Sequence, residues 1–117
     1  EYDCSIGLKN KVGFQDWGYR PLKIKRNGFN IFPVTIMDSY LIESFGKKVA
    51  VRKFKEIIDE AAENDAVVSV LWHQRVFNDK EFPTYSEFYE QIIEYCIDKN
   101  ACFMTHAEYI DIQNNRQ

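Results

Sequence analysis

The chain reads as an α/β protein built from parallel β/α units, on three observations. Residues 31–37 (IFPVTIM) and 66–72 (AVVSVLW) are continuous apolar runs of strand length, rich in β-branched side chains. Residues 50–64 and 84–99 repeat their apolar side chains at helical spacing instead. The two kinds alternate, and strands joined by helices of this length are expected to form right-handed crossovers and a parallel sheet with helices outside it. Three strands with two long crossovers amount to part of a larger α/β sheet or barrel. At 117 residues the chain is one domain's worth, too short for two independent cores.

Each element follows from local pattern. The first thirty residues hold Gly7, Gly13, Gly18, Gly28 and six basic side chains without a sustained period, and read as long loops with short strands. In the strand at 31–37, Pro33 should sit near the start or on an edge. Asp38-Ser39 offers an N-cap for a short helical turn through Leu41 and Ile42, closed by Gly46. Phe54, Ile57, Ile58, Ala61 and Ala62 form the apolar face of the first long helix. The run at 66–72 is of the kind covered on both faces, and it stops at the polar cluster His73-Gln74-Arg75. Tyr85, Phe88, Tyr89, Ile92, Ile93 and Cys96 line the second helix. A short strand at 101–104 leads to Thr105 and Glu108, which have the spacing of a capping box and predict a terminal helix over 106–114.

Composition narrows the function. A net charge of -3 and a pI near 5.4 supply no footprint for nucleic acid, and no apolar run approaches the roughly 20 residues of a membrane helix. Cys4, Cys96 and Cys102 contain no CxxC pair, so neither a disulfide framework nor a zinc knuckle is expected, and free thiols lean toward a reducing, cytoplasmic setting. The chain begins at Glu1, which suggests that an N-terminal piece precedes it.

In parallel α/β folds, sites collect at the carboxyl ends of the strands, which selects Asp38, His73 and the pair Thr105-His106. His73, beside Trp72, has the chemistry of a general acid or base, or is a histidine satisfied by a backbone carbonyl at a strand end. Asp38 either orients a histidine or substrate hydroxyl or caps a helix. His106, in a first helical turn, reads as a surface residue. The two histidines lack HxxxH or HExxH spacing and make no metal site. No glycine-rich phosphate loop is present. The segment GFQDWGYRPL sets Phe14, Trp17 and Tyr19 beside Asp16 and Arg20, either a sugar-stacking platform or a loop anchored by buried aromatics.

Taken in order, Tyr2-Asp3-Cys4-Ser5-Ile6-Gly7, Gly13-Phe14, Pro21, Phe32-Pro33-Val34-Thr35-Ile36-Met37-Asp38 and Val70-Leu71-Trp72-His73 cover nearly the whole chain. Together they resemble the C-terminal half of the polysaccharide deacetylases, the NodB-type carbohydrate esterases. The resemblance implies a distorted (β/α) barrel that removes N-acetyl groups from glycans, using a divalent metal such as zinc held by an aspartate and two histidines. It further implies an aspartate base and a histidine in a Leu-x-His motif that protonates the leaving amine. Leu71-Trp72-His73 matches that motif, so His73 is carried over as general acid, with Trp72, Asp38, Asp16, Trp17 and Tyr19 expected around the sugar.

The TFDD-like and HxxxH-like segments of that family are not among these residues. The chain is therefore expected to be the C-terminal portion of a larger domain, without a metal of its own and inactive until joined to an N-terminal half. The family's arginine, which steadies its aspartate, falls on Gln15 by spacing from Tyr2-Asp3 but on Arg20 by the local pattern Tyr19-Arg20-Pro21-Leu22. If Gln15 is the counterpart, it lacks the bidentate charge of a guanidinium and a weak or inactive parent is expected; if Arg20 is, the loop is re-registered and activity is expected to stand. The alternative is a catalytically silent carbohydrate-binding or structural domain. A sheet cut from a barrel should also leave a free apolar edge, so either a homodimer burying that edge or a disordered N-terminal region is expected.

Overall fold

The computed structural model describes residues 1–7, 11–15 and 17–117. Strands β1 (Tyr2–Asp3), β2 (Leu22–Ile24) and β3 (Phe29–Ile31) form one sheet in the order β1-β3-β2, with β1 parallel and β2 antiparallel to β3. The β2–β3 hairpin closes through residues 25–28: the Gly28 N–H donates to the Ile24 carbonyl at 2.9 Å, and the Asn27 side chain accepts the Phe29 N–H at 3.1 Å. Gly28 turns the chain at φ 69°, a conformation that glycine adopts without steric cost.

The apolar run at 31–37 changes partner midway. The Phe32 and Val34 N–H groups donate to Asp3 and Ile6, whereas those of Thr35 and Ile36 both donate to Ser69. The hand-over falls between Val34 and Thr35, and Pro33, which has no N–H to offer, lies just before it. β4 (Ile36–Met37) then pairs in parallel with β5 (Val70–Leu71), the parallel step expected from the sequence. The crossover between them is α1 (Asp38–Glu63). Gly46, at φ 69° and ψ 162°, takes a backbone region essentially restricted to glycine and divides α1 into a short and a long part.

Two strand expectations need correction. Residues 101–104 form no strand: β5 bonds only to β4, and no ladder reaches the exposed Phe103 and Met104. Within 66–72 only Val70 and Leu71 join a ladder, and both are 38% exposed, so this run is not covered on both faces. Among the described residues the architecture is mixed α/β, three helices with two small sheets and no closed barrel.

The core lies where α1 meets α2 (Tyr85–Asp98) and β4. Ile36, Leu41, Phe54 and Ile92 are fully buried there, with Phe54 edge-on to Tyr95 at 6.3 Å. α3 (His106–Asn115) opens with the expected capping box: Thr105 Oγ1 accepts the Glu108 N–H, and the Glu108 carboxylate accepts the Thr105 N–H. Among the described residues no helix is long and apolar enough to cross a membrane.

Candidate functional site

β4 and β5 are adjacent and parallel, with Met37 opposite Leu71, so their carboxyl ends open to the same side. Asp38 follows β4 directly and His73 lies two residues beyond β5. The Asp38 carboxylate is fully buried and saturated. It accepts the Ser39 N–H at 2.6 Å and the His73 backbone N–H at 2.6 Å, and His73 Nδ1 lies 2.9 Å from each of its oxygens. A carboxylate only accepts, so Nδ1 carries the proton, and Nε2, on the far side of the ring, has no hydrogen-bond partner among the described residues. The His73 side chain is 41% exposed. A buried acid thus fixes the tautomer and tilt of a histidine that reaches solvent.

Of the two readings of Asp38, the structure shows the histidine contact. The N-cap position is Met37, which makes no capping bond. Beside them, Trp72 packs on Tyr85 and Tyr89 of α2 at 6.4 and 5.7 Å. Its Nε1 is buried without a hydrogen-bond partner among the described residues.

The aromatic loop is elsewhere. The Val67 N–H donates to the Tyr19 carbonyl at 2.9 Å, the Tyr19 hydroxyl donates to Glu60 at 3.0 Å, and Arg20 pairs with Asp65 at 2.7 Å. Glu60 and Asp65 lie at the end of α1, before β5, so the loop sits at the amino edge of the strands. From Val67 to His73 an extended chain spans up to about 20 Å. Trp17, Tyr19, Arg20, Pro33 and Ser69 line a cleft of about 310 Å³, open solvent included, at that edge. Gln15 donates from Nε2 to the Val12 carbonyl at 3.3 Å. Asp16 lies outside the described residues. The single crevice expected to unite the loop with His73 is therefore two separate places. The cause is backbone pairing: Tyr19 bonds to the chain as it enters β5, and His73 follows as it leaves.

His106 also departs from expectation. Instead of lying on the surface, its ring stacks on Phe32 with centroids 4.3 Å apart, meets Tyr2 edge-on at 5.4 Å, and places Nε2 3.3 Å from Ser69 Oγ. The Ser69 N–H in turn donates to Thr35 Oγ1 at 3.1 Å. The sequence held a signal for this cluster. Thr35 and Ser69 are the lone hydrogen-bonding interruptions of two apolar runs, and buried hydroxyls need partners.

Burial lowers the pKa of His106 from its ordinary 6.5. As pH falls through about 6.5 the unfolded chain takes up a proton that the folded chain resists, so this contribution to stability is complete above that pH and is lost below it. Denaturant melts between pH 7.5 and 5.0 are expected to show a smaller acid loss in His106→Phe than in the unaltered chain. Identical losses would contradict the burial.

Burial likewise raises the pKa of the Cys96 thiol, while Cys4 and Cys102 are exposed. Among the described residues, no three His, Cys, Asp or Glu side chains come together as a metal-binding group. Compared with protein-family models, curated proteins and solved structures, the chain has no match.

Proposed function

We propose that this chain is the C-terminal part of a polysaccharide deacetylase-like hydrolase, its distorted (β/α) barrel completed by an N-terminal half, with His73 as general acid. The Asp38–His73 pair at the carboxyl ends of two adjacent parallel strands carries this reading. In hydrolysis of an N-acetylated glycan, water adds to the amide carbonyl and the C–N bond then breaks. Nitrogen leaves as a neutral amine only if it gains a proton. His73 Nε2 relays to it a proton released by the attacking water, while Asp38 holds Nδ1–H in place throughout.

The divalent metal implied by the resemblance does not fit the residues described. His73 Nδ1 is held by Asp38, His106 Nε2 faces Ser69, and no third ligand joins either. In this proposal the metal belongs to residues outside the chain. The exposed edge at Val70 and Leu71 is where further barrel strands, or a second copy of the chain, would continue the sheet.

A second reading, a silent carbohydrate-binding or structural domain, is favoured by one observation. Arg20 is engaged with Asp65 and Gln15 with a backbone carbonyl, so neither hydrogen-bonds Asp38 or His73. Acetate release from an N-acetylglucosamine oligomer by the full-length parent separates the readings. His73→Ala is expected to lower kcat by roughly 10²-fold or more with the fold retained, the usual worth of a positioned proton donor. Unchanged kcat would remove the acid role, and an inactive unaltered parent would leave the binding reading.

A further inference from the structure

All eighteen acidic residues of the chain lie outside positions 20–37, a stretch that contains Arg20, Lys23, Lys25 and Arg26. The fold gathers this local charge beside a groove. Between the β2–β3 hairpin and the outer end of α3, Arg20, Lys23, Asn30, Tyr109, Gln113 and Arg116 line a concavity of about 950 Å³, open solvent included. Asp65 also borders it but is committed to Arg20, whose guanidinium is held charged by Tyr109 and Asp65. Lys23 and Arg116 have no ion-pair partner among the described residues.

We propose that this groove binds a carboxylate-bearing oligosaccharide, a strand of uronic-acid type. Two unneutralised cations on opposite walls answer to carboxylates on separate sugar units. The amides of Asn30 and Gln113 donate and accept, as sugar hydroxyls require. The Tyr109 ring offers an amphipathic face to a pyranose. A nucleic acid would find one ring where single-stranded binders present a row of them, on a chain whose remainder is acidic. A membrane surface would meet an amide-lined concavity rather than an apolar face. The groove borders the amino edge of the strands, away from His73, so this site stands whether or not the chain belongs to a deacetylase.

Calorimetric titration of the full chain with a galacturonic acid trimer tests it. Binding is expected to weaken with added salt, to fall about 10-fold in Lys23→Ala/Arg116→Ala, and to survive His73→Ala, with circular dichroism confirming that each variant is folded. Three results would overturn it: no binding of the trimer, equal binding of neutral chitotriose, or an unaffected double variant. Tighter capture of a 12-nucleotide single strand or of phosphatidylserine vesicles through the same two residues would reassign the groove to that polyanion.

Discussion

Asp38→Ala is expected to destabilise the chain by about 3 kcal/mol and to lower Tm by roughly 10 °C or more. The carboxylate takes three donors, the backbone N–H groups of Ser39 and His73 and the His73 ring, at a position with no solvent access. Each donor left unmet costs about 1 kcal/mol, more where charge assists the bond. His73→Ala provides the contrast, since it removes the ring but leaves both backbone donors on the acid, and about 1 kcal/mol is expected. Urea melts of the two variants measure the difference. Equal losses would mean that the carboxylate serves the imidazole alone and does not tie β4 to the segment after β5.

Phe54→Ala should cost more, about 3–5 kcal/mol, the usual range for deleting a buried aromatic side chain. Phe54 has no solvent exposure and stands on the long part of α1, edge-on to Tyr95 of α2. Phe54→Leu, which keeps most of the volume, is expected to lose under half as much. If the alanine variant fell by less than about 1 kcal/mol in denaturant melts, the α1–α2 seam would not be the centre of the core.

The helices were legible because their signal is periodic. The apolar spacing at 54–61 and 85–96 needs no knowledge of neighbours, and the pair Thr105 and Glu108 marks its own helix start. Strands were less so. An apolar run becomes a strand only when another segment hydrogen-bonds to it, and that partner is nowhere in the run itself. Residues 101–104 found none, whereas the short strands expected among the first thirty residues include β2 and β3, paired as a hairpin around Asn27-Gly28, a dipeptide with a recognised turn preference. The site shows the same division. Strand ends selected Asp38 and His73, but only the β4–β5 register brings them into contact. The distance between His73 and the aromatic loop depended on whether Tyr19 pairs before or after β5, a choice that spacing along the chain does not encode.

The partner exchange between Val34 and Thr35 also shapes how the molecule opens. Four of the five positions 32–36 donate backbone hydrogen bonds, Phe32 and Val34 to the first six residues and Thr35 and Ile36 to Ser69. Val34 and Thr35 are adjacent, so peeling either set of bonds loosens the chain that makes the other. Ser69 adds the ring of His106, so the last helix is fastened at the same point. The amides of Phe32, Val34, Thr35 and Ile36 are therefore expected to exchange hydrogen as one cooperative unit, in which the two sheets and the docked end of α3 become accessible to solvent together.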